Sequence, residues 1–195
     1  MAAVRSPRLP LDQVGGVVCP GRPVKAARIG KVGVILAPAV DRTLFPVDVR
    51  AGIGAADKPD VAWREARTAL RLTTAREPVL EQAESGALAL LAELPREVLR
   101  GNPGVASLVR MAGDPGNPWE ESRETLDTLE AYCAAGSLRR AADVLHLHLH
   151  LHHSSVARRI DLISRALSVD LTTPMGLTRA RVALTAWRLL GDHRG

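Results

Sequence analysis

Residues Asp143 to Ile160 read DVLHLHLHLHHSSVARRI: leucine and histidine alternate four times, and the chain then turns into an amphipathic helix opening with two serines. The alternation suits neither secondary-structure period, because Leu145, Leu147, Leu149 and Leu151 share one face only in a strand, and no neighbouring run supplies a partner strand. Its flanks are plainer. SSVARRIDLISRALS sets Val156, Ile160, Ile163 and Leu167 at i, i+4, i+7 and i+11, a helix with Ser154 as its expected N-cap and with Ser155, Arg158, Arg159 and Arg165 outside or at the boundary of the apolar stripe. On the other side, LRRAADVLH is a short helix rich in small residues, with Ser137 placed to cap it. A short helix, a turn and an arginine-bearing helix make a helix-turn-helix pattern. Ala141 and Ala142 let the two helices cross closely, and the second can enter a major groove about 12 Å wide with its first side chains reaching base edges. The competing reading of the arginines is a merely solvated face.

Outward from this pair the chain stays helical on both sides. EESRETLDTLEAYCAA places Leu126, Leu129, Tyr132 and Cys133 on one face, starts with acidic residues that suit the positive helix N-terminus, and stops at Gly136. GLTRARVALTAWRLLG puts Leu177, Ala180, Leu184 and Trp187 toward a core, after a stop at Pro174 and Gly176. Upstream, GDPGNPW (Gly113 to Trp119) carries two prolines and two glycines and marks the domain boundary. Before it come short helices in PGVASLVRMAG and ESGALALLAELP, and a helix of about four turns in KPDVAWREARTALRLTTA, with Val61, Ala62, Ala66, Ala69, Leu70 and Leu72 inward. AARIGKVGVILAP and FPVDVRAGIGAAD read as two sheet strands, and the first dozen residues as a ragged start.

The bulk composition sets limits on function. A chain of 195 residues with 46% hydrophobic and 24% charged residues is a soluble globular protein, with room for one core or two small ones. The net charge of +5 permits an acidic partner such as nucleic acid. Its distribution says more: Leu138 to Gly195 carries nine basic against four acidic side chains, whereas Glu120 to Ser137 carries one against five. Two distant cysteines, Cys19 and Cys133, encode neither a disulfide framework nor a thiolate metal site and fit a reducing cytoplasm. No apolar run reaches the roughly 20 residues of a membrane span. Aromatics at 3% are too few for a platform that stacks single-stranded bases.

Other chemistries find little support. In a helix, His146/His150 and His148/His152 would be i, i+4 pairs, yet the run holds no acidic or cysteine ligand, so no metal and no cofactor are expected. Gly52 to Gly54 reads GIG without a full GxGxxG, which suits a strand exit better than a nucleotide loop. Asp41, Asp48 and Asp57 suit turns at strand ends, and Trp63, Trp119 and Trp187 suit core or interface positions.

TLDTLEAYCAAGSLRRAADVLHLH, HHSSVARRIDLISRALSVDL and GLTRARVALTAWRLL together resemble the C-terminal helix-turn-helix domain of the PucR/CdaR family of bacterial transcriptional regulators, in its actinobacterial form, over Thr125 to Leu190. RPVKAARIGKVGVIL, VRAGIGAADKPDVAWREARTALRL and SGALALLAELP are similar to the later part of the GGDEF-like domain that precedes this module. The resemblance implies an α+β chain: a partial GGDEF-like α/β domain at 1–118, then an all-helical helix-turn-helix domain at 119–195. It further implies a cytoplasmic, non-enzymatic regulator that binds double-stranded DNA as a homodimer through His153, Ser154, Ser155, Arg158, Arg159, Arg139 and Arg165. Such regulators begin with a further sensory segment, so the chain reads as a C-terminal fragment or a shortened protein. A cyclase would need the GG(D/E)EF signature, but Gly15-Gly16 is followed by Val17-Val18. The family pattern also runs through LHLHHSSVARR, so two Leu-His units are additional here, within Leu147 to His152. A lengthened first helix or a bulged loop would absorb them. The alternative function is an interaction module, or a truncated regulator, whose disrupted turn no longer binds DNA.

Overall fold

The computed structural model describes residues 1–74, 76–113, 122–149 and 153–191. The chain divides into two compact units, Met1–Glu93 and Leu94–Leu190. Strands occupy the first and helices alone make up the second, the α+β organisation expected from the sequence.

In the first unit a five-stranded mixed sheet has the order β2-β3-β1-β4-β5, built from β1 (Ala2–Arg5), β2 (Lys25–Ile29), β3 (Val32–Leu36), β4 (Arg50–Ile53) and β5 (Val79–Glu81). The N-terminus is no ragged start: β1 is the central strand, pairing antiparallel with both β3 and β4. Four residues are too few for a period to declare itself, which is why the run escapes detection. The single strand read across Ala26 to Pro38 is instead a hairpin, β2 against β3, turned at Gly30, whose φ of +62° favours a residue without a side chain. FPVDVRAGIGAAD contributes only the four residues of β4.

Two helices cover the sheet. Helix α1 (Leu11–Val18) packs Val14 and Val18 on Ala2, Val4, Ile35 and Ala51. Helix α2 (Pro59–Leu72), placed as the sequence indicates, buries Ala62, Ala66, Ala69 and Leu70 and leaves Val61 half-exposed. It starts with Pro at its first turn and is the crossover between the parallel strands β4 and β5. The GIG stretch has a packing explanation here. A Cβ on Gly52 would lie 2.1 Å from the Ala66 carbonyl oxygen and the Leu70 nitrogen, and one on Gly54 2.2 Å from the Ala62 oxygen. The two glycines let α2 lie against the backbone of β4. Asp41 performs the expected turn chemistry, accepting from Thr43 N and Oγ1, whereas Asp48 pairs with Arg8. Trp63 packs partly buried on Ala3, Ala66 and Leu70, with the Arg67 guanidinium over its ring. Short helices α3 (Gln82–Ser85) and α4 (Ala89–Glu93) complete the unit.

The second unit contains α5 (Arg96–Gly101), which periodicity gives no sign of, α6 (Pro103–Gly113), α7 (Ser122–Ala135), α8 (Leu138–Leu149), α9 (His153–Leu167) and α10 (Pro174–Gly191). Because α5 and α6 lie in this unit, compact helical structure begins at Leu94, ahead of the stretch Gly113 to Trp119. That stretch lies, beyond Gly113, outside the described residues. No described helix is long and apolar enough to cross a membrane.

Replacing Gly52 by alanine should force α2 off β4 and cost the sheet unit about 3 kcal/mol as an overpacked, backbone-limited contact. Faster hydrogen exchange of the β1 amides, with α9 exchange unchanged, is the expected readout; unaltered β1 protection would contradict the close-approach account.

Candidate nucleic-acid interface

Helix α7 ends where Gly136, at φ +67°, donates its N–H to the Tyr132 carbonyl. One residue later Ser137 caps α8, its Oγ accepting from Arg140 N at 3.3 Å. Ala141 and Ala142 are both buried, which is the small-residue crossing the sequence calls for. The Leu-His run is helical as far as Leu149, so through that point it extends α8 and is not a strand. His150, Leu151 and His152 lie outside the described residues, and with them the question of a histidine metal site.

Helix α9 begins at His153, which places Ser154 inside its first turn and not at the cap. Val156, Ile160, Ile163 and Leu167 are buried, all four as the period requires. Its C-terminus turns at Ser168 (φ +53°), whose N–H donates to Arg165 O while Val169 N reaches Ser164 O. Asp170 then accepts from Thr172 N and Oγ1, hydrogen bonds that hold its carboxyl below the usual carboxylate range. Pro174 and Gly176 do not stop a helix but open one: Thr173 Oγ1 accepts from Gly176 N at 3.1 Å, and Pro174 needs no donor at the first helical position. Ala180 and Leu184 of α10 are buried, with Leu177 and Trp187 half-buried.

The expected contact residues divide into two groups. Ser154 and Arg158 are exposed on α9 and Arg139 on α8; Ser155 is half-buried; Arg165 is exposed but ion-paired with Asp161, one turn earlier on the same face. Arg159 is the correction. Its side chain is 8% exposed, and its Nη2 donates to Glu124 Oε2 of α7 at 2.6 Å. The helical period contained the signal, since Arg159 stands three residues after Val156 and four before Ile163 and thus within the buried arc.

The acidic helix α7 also receives two arginines of α10. Arg188 pairs with Glu130 at 2.8 Å, and Arg181 donates through Nε (2.7 Å) and Nη2 to the Cys133 carbonyl, one of the acceptors left open at a helix C-terminus. Tyr132 donates to the Leu171 carbonyl at 3.2 Å, tying the α9–α10 connection to the same helix. Beside the exposed face of α9 lies an open cleft of about 570 Å³, lined by Tyr132, Leu138, Ala157, Ile160, Ser164 and Val169 among others.

Residues 125–186 match the PucR C-terminal helix-turn-helix domain. The matched span runs from α7 into α10 and has α8 and α9 as its central pair, so the helical unit carries a helix-turn-helix domain of the PucR C-terminal type. At 21% identity and a TM-score of 0.36, 96% of the chain is similar to 84% of the chain in a crystal structure of a regulator of polyketide synthase expression from Bifidobacterium adolescentis. No curated protein matches.

Burial pushes the Cys133 thiol of the PucR-type domain from its ordinary value of 9.0 to about 11, against smaller opposing effects of Arg181 and Arg188. A thiol raised in this way contributes stability that is fully present below pH 9 and is lost as the pH climbs through about 11. Cys133→Ala should therefore flatten the stability profile between those values by on the order of 2 kcal/mol relative to the parent. Urea titrations at both pH values measure the difference, and parallel losses in the two proteins would refute it.

Proposed function

We propose that the chain is a DNA-binding transcriptional regulator whose α9 is the recognition helix. The observation that carries this reading is the coincidence of the PucR helix-turn-helix match with an α9 face that presents Ser154, Arg158 and Arg165 to solvent. Residues 119–195 form the DNA-binding domain, and 1–118 a partial GGDEF-like domain that binds no nucleotide for catalysis. The protein acts in the cytoplasm as a homodimer, which brings two recognition helices to half-sites about 34 Å apart.

Among the exposed arginines Arg158 is the principal base-edge candidate, because Asp161 already engages Arg165. His153, Ser154 and Ser155 stand at the start of α9, where a recognition helix meets the bases. Arg139, in the first turn of α8, supplies a phosphate contact. The charge asymmetry of the sequence divides accordingly: Arg159 and Arg188, two of the nine basic residues after Leu138, are taken up by Glu124 and Glu130 of α7, while Arg139 and Arg158 stay exposed for the partner.

Gel shifts at graded salt test the proposal, since neutralised phosphates make affinity fall steeply as salt rises. Arg158→Ala should cost roughly 1–3 kcal/mol of discrimination between sites. Arg139→Ala should weaken all sequences alike and reduce the salt slope by about one. Two folded variants with parental affinity would overturn the assignment of this face.

A further inference from the structure

Arg159 and Glu124 are 35 residues apart in the chain and join α9 to α7 through a short, directional contact. Apolar packing supports the same helix: α9 lies against α6, α7 and α8 with Val156, Ile160, Ile163 and Leu167 buried. Apolar surfaces are indifferent to small rotations of a helix about its own axis, whereas a guanidinium–carboxylate pair is not. Successive helical residues are about 100° apart around the axis, so fixing Arg159 inward fixes Arg158 on the exposed arc.

We infer that Arg159 is a positioning residue: held by Glu124, it sets the rotation and docking of α9 and thereby aims Arg158 and Ser154, while making no contact with DNA itself. The inference rests on α9 being the recognition helix. It assigns a role to Glu124, an acidic residue that a simple charge argument would count against DNA binding. A fraction of molecules with α9 undocked raises the apparent Kd in inverse proportion to the docked fraction, so a docked population reduced to about a tenth reads as a tenfold weaker complex.

The test uses the full chain, and as probe the best duplex recovered by the parent from a random-sequence pool, at a temperature well below melting. Glu124→Ala should raise Kd about tenfold with an unchanged salt slope and accelerate amide exchange across α9, although it removes a negative charge from the DNA-binding unit. Arg159→Lys, which keeps the charge and can reach the carboxylate, should recover most of the affinity. A folded Glu124→Ala protein that binds as tightly as the parent, or more tightly, overturns the inference. So does an Arg159→Met protein whose salt slope falls by about one, because that marks a phosphate contact. If the parent itself retains no duplex, the DNA-binding reading fails, and the exchange measurement still decides the pair: unchanged α9 exchange in Glu124→Ala overturns its positioning role and faster exchange upholds it.

Discussion

The helical unit depends on what α7 does with its polar groups. Glu124 receives Arg159 of α9, Glu130 receives Arg188 of α10, the Cys133 carbonyl receives Arg181, and the Tyr132 hydroxyl reaches the Leu171 carbonyl of the connection between α9 and α10. All four are long-range and directional, and they fan out from one helix that also holds the fully buried Leu129 and Ala131. Removing water from an arginine as enclosed as Arg159 is costly unless a carboxylate meets it, so the pair specifies one docked arrangement more than it adds net stability. A short apolar core could accept several helix rotations; these contacts select one.

A different constraint governs the sheet unit. There the limiting quantity is the thickness of side chains between α2 and β4, and it is close to zero at Gly52 and Gly54. Alanines at 62, 66 and 69 on the facing side of α2 complete an interface made of backbone and methyl groups. Such a contact is close-packed without large side chains between helix and strand. GIG therefore belongs to helix–sheet packing, and its likeness to a nucleotide-binding loop comes from a shared need for close backbone approach.

The Leu-His repeat shows how an awkward sequence can be absorbed. As far as Leu149 the repeat simply continues α8, a helix already nucleated by the Ser137 cap and the buried Ala141, Ala142 and Leu145. Once a helix is under way each added residue gains a hydrogen bond, so propagation overrides an alternating pattern that has no partner strand to pair with. Before it the Gly136 stop and the Ser137 cap keep their meaning, whereas after it Ser154 falls inside α9, whose apolar stripe is buried as its period requires.

By itself the sequence determined the helices whose apolar residues recur at 3.6, namely α2, α7 and α9, the Gly136 stop, the Ser137 cap, and the resemblance to the PucR helix-turn-helix domain, which the match at 125–186 upholds. Tertiary structure decided the rest. It made the residues Ala2 to Val4 a central strand, because burial on both faces leaves no alternation to read. It folded one β-branched run into a hairpin at Gly30. It turned Arg159 inward, because a cation at the edge of an apolar arc faces in or out according to whether a carboxylate waits across the helix crossing, and the residue that supplies it is 35 positions away on another helix. Local periodicity reports which face is apolar; the partner of a boundary charge is fixed only when distant segments meet.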